Sequence, residues 1–278
     1  MKSIIVPTDF SSASYNTARY AIALAADLSA DKIVLYNAYQ PYIPEDPEYN
    51  TILTQDISEY KTISEEGLIK MKSTLQAEAP SSLQLDCESD YSMIQAGIES
   101  ACKKHNAVLV IMGVTGTGNS IEEAIFGSNA VDVARHSKTP VIIVPSAAKY
   151  SGLQKILLVL DFKKVAETTP VNEINSLLNA TNAQLDVLHV EINDGGTEES
   201  VDNEKKILNS LFNNYEPQYY FVKGENFTET INQFAVENNS DLIIVIPKKH
   251  GLFESIFKRS HTKALAFHSH IPIMTIHE

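Results

Sequence analysis

Short apolar runs recur along the chain in a fixed order, and each run ends in polar, glycine or proline residues. Their length and their β-branched composition predict buried strands. The runs of the first half are 2–10, 32–38, 107–113 and 139–145, and those of the second half are 155–162, 184–190, 241–247 and 271–277. Because the same order occurs twice, the pattern indicates a tandem repeat.

Between the first two runs, apolar residues return at helical spacing. These residues are Ala13, Ala18, Ala21, Ile22 and Ala25. Ser11 or Ser12 can serve as the N-cap of this helix. Apolar strands that alternate with helices favour a parallel sheet covered on both faces. The sequence therefore predicts an α/β protein of two doubly wound domains, residues 1–148 and 152–278, joined by a polar connector at 146–154.

Composition narrows the classes of function. The 278 residues carry 22 basic and 35 acidic side chains, a net charge of −13. An acidic surface repels a phosphate backbone, so we expect no nucleic-acid partner. The chain also contains no long apolar stretch and no leader-like N-terminus, and we expect no membrane partner and a cytoplasmic location.

Cysteine and histidine spacing gives no metal signal. Cys87 and Cys102 match no metal or redox motif, and two cysteines make no disulfide framework. His268, His270 and His277 lack a third ligand at a suitable spacing, and we interpret them as surface or turn residues. We expect no metal site built from side chains.

The glycine-rich stretch "GVTGTGNSIEEAIFGSN" (113–129) follows the run at 107–113, and Asp9 ends the first run. We count the run at 107–113 as the fourth strand, because one more strand is expected between 38 and 107. If the first and fourth strands are neighbours, Asp9 and the glycines flank one crevice at the carboxyl ends of the strands. Glycines let backbone N–H groups approach a phosphate chain, and the next helix adds its N-terminal N–H groups. The pattern indicates a nucleotide site, although it matches neither the P-loop nor the dinucleotide fingerprint.

"VPTDFS" at the start, the glycine stretch after the fourth strand and "TPVIIVP" together resemble the universal stress protein family. The resemblance is strong in 1–145 and weaker in 150–278. It implies two tandem domains, each with a five-stranded parallel sheet of the Rossmann-like, adenine nucleotide alpha hydrolase-like kind. It also implies binding of ATP or AMP, with Mg²⁺ carried by the phosphates, and pairing of domains through their last strands. Here "PVIIVP" and "PIMTIH" would pair the two halves, and a homodimer of whole chains is a further expectation.

Residue by residue, the resemblance implies a cofactor-binding set. The set is Pro7, Thr8, Asp9, Ala38, Gly113, Gly116, Gly127, Ser128 and Asn129. The family loop has nine residues between its second and third glycines, whereas ten separate Gly116 from Gly127 here. We expect the extra residue to be absorbed in "TGNS" (117–120), next to Gly118.

The second half departs from this pattern. "PKKHGLFESIFKRSH" (247–261) places Pro247 and His250 where the first half has glycines, and Arg259-Ser260 where it has Gly127-Ser128. Proline removes a backbone donor and the larger side chains obstruct a phosphate. Asp161 is retained at the end of the run at 155–162, in the position of Asp9, but an acid alone does not make a nucleotide site. We expect no ATP site of the family's kind in this half.

Three functions stay open at this point. The first is a nucleotide-responsive stress protein whose second half is a degenerate partner. The second is an interaction module in which the extra residue prevents the glycine loop from binding phosphate. The third is a slow ATP hydrolase, although no residue is identified as catalytic, because neither a base nor an arginine lies near the loop.

One long segment interrupts the alternation of predicted strands and helices. Residues 40–60 carry three prolines and several acids after the second strand. The segment is interpreted as a lid, a partner contact or a solvated loop.

Overall fold

The computed structural model describes residues 2–40, 57–114, 128–191, 198–247 and 271–277. The strands in these ranges are β1 (Ser3–Pro7), β2 (Lys32–Tyr39), β3 (Gln84–Tyr91), β4 (Ala107–Gly113), β5 (Val141–Val144), β6 (Lys155–Val159), β7 (Gln184–Glu191), β8 (Gln218–Lys223), β9 (Leu242–Val245) and β10 (Ile273–Thr275). The helices are α1 (Ser12–Asp27), α2 (Ile57–Gln76), α3 (Ile94–His105), α4 (Ser128–His136), α5 (Val165–Thr168), α6 (Val171–Thr181), α7 (Glu198–Leu211) and α8 (Phe227–Glu237). Strands and helices alternate in both halves, as the apolar pattern predicts.

All ten of these strands form one sheet, in the order β3-β2-β1-β4-β5-β10-β9-β6-β7-β8. Neighbouring strands within each half run parallel. The α/β fold class and the adjacency of the first and fourth strands are confirmed.

The two halves meet through their last strands. β5 pairs antiparallel with β10, and Ile143 lies opposite Ile273 while Val141 lies opposite Thr275. All four residues of β5 are buried. Pairing removes what would otherwise be an exposed apolar edge strand in each half. The halves are therefore joined in the way that the family resemblance implied.

Alternation along each strand sends side chains to opposite faces of the sheet. Ile4 and Val6 of β1 belong to the apolar cluster under α1, α2, α6 and α7, and Ile5 belongs to the cluster under α3, α4 and α8. Each cluster contains residues from both halves, for example Leu24 and Leu178 in the first. The two repeats thus share their hydrophobic core across the β5–β10 seam.

The connector between the halves packs on α1. Asn16 Nδ2 donates a hydrogen bond of 2.8 Å to the carbonyl oxygen of Ala148. The rings of Tyr20 and Tyr150 meet edge to face with centroids 5.1 Å apart. Leu153 is buried in the shared core. The polar connector is therefore a packed element, while the domain bounds 1–148 and 152–278 stay a prediction.

Two kinds of feature are absent from the described ranges. No helix in them is sufficiently long and apolar to span a bilayer. No group of three His, Cys, Asp or Glu side chains there is placed to hold a metal ion.

Candidate functional site

Asp9 follows β1 at the carboxyl edge of the sheet. β1 pairs with β2 on one side and with β4 on the other, so the strand order reverses beside this residue. In open parallel sheets, ligands bind in the crevice at such a reversal. The topology therefore places Asp9 at the expected ligand position of the first half.

The carboxylate of Asp9 is held by the start of α1. Ser14 Oγ donates to Asp9 Oδ1 at 2.5 Å, and the backbone N–H of Ser11 donates to the same oxygen at 3.0 Å. Ser11 is also the N-cap of α1, since its hydroxyl oxygen accepts from the N–H of Ser14 at 3.2 Å. Burial raises the pKa of Asp9, but the hydrogen bonds from Ser11 and Ser14 outweigh it and hold the pKa below its ordinary value. Asp9 is thus an exposed, ionised acceptor in a fixed orientation.

Phe10 forms the elbow between β1 and α1. Its φ of 63° lies in the left-handed region, which costs a residue with a large side chain about 1 kcal/mol or more. The N–H of Phe10 donates to Thr8 Oγ1 at 3.0 Å. Its ring packs so closely on α2 that a Cβ at Gly67 would lie 2.6 Å from a ring carbon. Packing of the ring therefore stabilises the turn that presents Asp9.

Pro7 and Thr8 lie beneath this turn, and both are buried. The N–H of Thr8 donates to the carbonyl of Tyr36, and its own carbonyl accepts from Asn37 Nδ2 at 2.7 Å. Its hydroxyl contacts Met71 Sδ at 3.3 Å. The polar groups of Thr8 are all engaged within the protein, so Thr8 shapes the edge of the site, and its contact with a ligand stays a prediction.

Ala38 lies one residue before the end of β2 and is half-buried. Tyr36 pairs with Pro7 in the β1–β2 register, so Ala38 lies on the neighbouring strand near the level of Asp9. The contact of its backbone with the base of a nucleotide, which the family resemblance implied, stays a prediction.

Gly113 ends β4 directly against α1. A Cβ at this position would lie 2.3 Å from Thr17 Oγ1 and 3.3 Å from the carbonyl oxygen of Ala13. Glycine is therefore required here for the close approach of helix and strand. This packing role exists whether or not a phosphate binds.

The far side of the site is described only where α4 begins. Ser128 is its first residue and Asn129 is exposed. Gly116, Gly118 and Gly127 lie outside the described residues, as do the "TGNS" stretch and most of the 40–60 segment. Their assignments stay predictions.

The second half repeats the acid elbow of the first. Phe162 follows Asp161 with a φ of 51°, and the N–H of Lys163 donates to Asp161 Oδ1 at 3.2 Å. His189 Nδ1 donates to the carbonyl of Leu160 at 2.9 Å, as Asn37 does to that of Thr8. The backbone geometry at this edge is therefore common to both halves.

The surroundings of the second elbow differ from those of the first. Aromatic rings pack around Phe162, with its centroid 5.4 Å from that of His189 and 5.2 Å from that of Phe221. Burial raises the pKa of nearby Tyr219 to about 12. The counterpart of α1 is broken into α5 and α6 at Thr169-Pro170. Pro247 follows β9, while His250, Arg259 and Ser260 lie outside the described residues.

Some residues that shape the candidate site give weak sequence signals. Asn37 is a polar residue at the end of an apolar strand, and Ser14 and Thr17 lie one turn apart on the inner face of α1. His277 was interpreted as a surface or turn residue, but its Nε2 donates to the carbonyl of Ala134 in α4 at 2.9 Å. His277 is half-buried, and this contact could not be predicted, because the partner lies 143 residues away and no local pattern reports it.

Fold and site together define a class of protein: a tandem, doubly wound α/β protein with a candidate ligand site at the strand-order reversal of its first half. The sequence model of the universal stress protein family matches residues 1–145. The chain belongs to the universal stress protein family.

Individual proteins agree with this assignment. A universal stress protein from Methanocaldococcus jannaschii is 26% identical over 149 residues, which are 53% of this chain and 84% of the relative. The crystal structure of a universal stress protein from Archaeoglobus fulgidus superposes with a TM-score of 0.72 at 18% identity and covers 99% of this chain and 98% of its own. This last similarity concerns the fold and extends over both halves.

A universal stress protein solved in complex with cAMP is also similar. It covers 52% of this chain and 98% of its own length at 23% identity, with a TM-score of 0.39. A likeness of this size carries no argument about a ligand of the present chain.

Proposed function

We propose that the first half binds an adenine nucleotide, ATP or AMP, and that the chain acts as a nucleotide-responsive protein of the stress response in the cytoplasm. The observation that carries the proposal is Asp9, an exposed carboxylate that the protein holds in place at the reversal point between β1 and β4. Family membership and the sequence of the glycine stretch supply the class of ligand.

Asp9 suits the nucleoside end of such a ligand. An ionised carboxylate is an acceptor only, and ribose hydroxyls and an exocyclic amine are donors. Asp9 Oδ1 is already engaged by Ser14 and Ser11. The proposal therefore gives the ligand the second carboxylate oxygen.

The phosphate end of the ligand would lie toward α4. α4 connects β4 to β5, which are parallel neighbours, so its first turn lies at the carboxyl edge of the sheet. The first N–H groups of a helix lack partners within it and favour an anion. The sequence from 114 to 127 contains no Lys or Arg, so the proposal assigns the phosphates to backbone N–H groups with Mg²⁺ as counter-ion.

The second half acts in this proposal as a partner without a phosphate site. It keeps the acid elbow at Asp161 but has Pro247 in place of Gly113. Its elbow is surrounded by rings, and Phe221 is 41% exposed. A homodimer of whole chains belongs to the same proposal, as a second level of assembly beyond the β5–β10 seam.

Calorimetric titration with Mg-ATP and with AMP tests the proposal. Asp9→Ala is expected to weaken binding at least tenfold, because about 1.5–3 kcal/mol is typical of a hydrogen bond to a charged group. Asp161→Ala is the matched control, since both acids accept from the N–H two residues later, at 3.0 and 3.2 Å. The control is expected to bind like the wild type.

Gly127→Trp, which blocks the expected phosphate position, should abolish the heat of binding without changing Asp9. No heat for the wild type at millimolar nucleotide would refute nucleotide binding and favour the interaction module. Steady release of ADP that is lost in Asp9→Ala would instead revive the slow hydrolase.

A further inference from the structure

The last strand of the second half contacts the end of α4. Thr275 Oγ1 donates to the carbonyl oxygen of Ala134 at 3.1 Å, and His277 Nε2 donates to the same oxygen at 2.9 Å. Ala134 belongs to the last turn of α4, and carbonyls in that turn lack donors within the helix. Two side chains from a distant part of the sequence therefore supply the C-cap of this helix.

This cap is part of the seam between the halves. Thr275 pairs with Val141 at the start of β5, the strand that follows α4. Thr275 is fully buried and His277 is half-buried, so water does not readily replace the two donors. Val133 and Ala134 are also buried, in the same cluster as Ile273 of β10. The end of α4 is thus held by both apolar packing and hydrogen bonds from the second half.

The two donors have no equivalent at the aligned positions of the first half. In the aligned runs "TPVIIVP" and "IPIMTIH", Ile143 takes the place of Thr275 and Pro145 takes the place of His277. Neither isoleucine nor proline has a side-chain donor. Ile143 and Pro145 of the first half therefore cannot donate as Thr275 and His277 do, although the two strands pair symmetrically.

We propose that Thr275 and His277 are positioning residues through which the second half orients α4 for ligand binding by the first half. The effect on ligand binding rests on the proposed function, because the first turn of α4 is the part assigned to the phosphates. α4 has only nine residues and is short for a helix that must be stable without tertiary support. Loss of the cap at one end of so short a helix loosens the N–H groups at the other end.

Amide hydrogen exchange of α4 and calorimetric titration with Mg-ATP, both on the full chain, test the proposal. His277→Leu and Thr275→Val are each expected to accelerate exchange in α4 and to weaken ATP binding, by about fivefold for each hydrogen bond lost. His189→Leu is the matched control, since His189 also donates to a backbone carbonyl at 2.9 Å, within the second half. It should leave α4 exchange and ATP affinity at the wild-type values.

Conservative variants separate positioning from general stability. Thr275→Ser and His277→Gln keep a donor and are expected to restore both readouts. If His277→Leu and Thr275→Val leave α4 exchange unchanged, or lower ATP affinity no more than His189→Leu does, the proposal is overturned. If the wild type binds no nucleotide, the proposed function fails, while accelerated α4 exchange in these variants would still support the cap and unchanged exchange would overturn it.

Discussion

At the scale of single residues, hydrogen bonds decide the ionisation of Asp9. Burial alone would raise the pKa of this carboxyl, and the donors of Ser11 and Ser14 reverse the direction. An acid whose pKa is lower in the folded state contributes stability above its unfolded pKa, and this contribution is lost as the pH falls through the folded value.

We therefore expect Asp9→Asn to lower the free energy of unfolding by about 1 kcal/mol at neutral pH, since the carboxylate is exposed and partly screened. The difference from the wild type should shrink as the pH falls below the ordinary value of 3.8. Urea unfolding at a series of pH values measures it. A difference that stays constant down to pH 2 would contradict the linkage.

The pKa of Asp186 is shifted in the opposite direction, above its ordinary value. Its side chain is fully buried in β7, Oδ1 accepts from Gln184 Nε2 at 2.9 Å, and Lys155 Nζ lies 3.9 Å from Oδ2. Burial raises the pKa of Asp186 against the opposing effects of Gln184 and Lys155. Because the folded pKa exceeds the unfolded one, ionisation of Asp186 costs stability as the pH rises through the folded value.

Asp186→Asn is expected to raise the free energy of unfolding by about 1 kcal/mol at neutral pH, with no gain below the unfolded pKa. Asp86→Asn is a close control. Asp86 accepts from Gln84 Nε2 at 2.9 Å and lies 3.8 Å from Lys32 Nζ, but its side chain is 35% exposed. A gain of equal size in both variants would show that burial of the charge is not the cause.

At the scale of elements, the contact of α1 with β4 depends on Gly113. Gly113→Ala is expected to cost about 1–3 kcal/mol, because the new methyl group overlaps Thr17 Oγ1. Thr17→Ala should recover part of this cost when the two changes are combined, with a coupling of about 1 kcal/mol. Urea unfolding of the four proteins in the cycle gives the coupling.

Nucleotide titration of the same double variant separates packing from ligand contact. If Gly113 serves only the approach of α1, the double variant binds ATP like the wild type. Additive unfolding energies in the cycle would contradict the clash itself.

At the scale of the whole molecule, β5 needs a partner strand. All four of its residues are buried by β4, β10 and the helices on both faces, and its pairing with β10 is antiparallel. Antiparallel pairing of two copies of one strand is compatible with a two-fold axis. The seam between the halves therefore has the form of a dimer interface within one chain.

Residues 1–148 produced alone are expected to dimerise through β5. The excised half would otherwise expose an apolar edge strand, which is a template for association. Sedimentation velocity over a hundredfold concentration range measures the assembly, with the full chain as the control in which β10 covers β5. A folded monomer at all concentrations would show that the first half does not need the seam.

The apolar pattern predicted eight of the ten described strands and the fold class, because strand and helix periodicity are local properties of the chain. It gave no signal for β3 and β8, whose residues are mostly exposed or half-buried. Ser11 as a cap and Asp9 at a strand end could likewise be read from short stretches. The pairing of β5 with β10 was predicted only from the family resemblance. The donors that meet Ala134 could not be predicted, because Thr275 and His277 lie about 140 positions away along the chain.

The sequence "QLD" occurs at 84–86 and at 184–186, and it shows where local information ends. By itself, the sequence determined a strand only at the second stretch, within the apolar run at 184–190. In the structure both stretches form strands, and in each the Gln side chain donates to the Asp two residues later. Only the tertiary structure decided how far each Asp side chain is buried, because β3 is an edge strand, whereas β7 lies between β6 and β8. The same three residues thus leave one carboxylate half-exposed and bury the other in the core, because burial is set by neighbours that the local sequence does not contain.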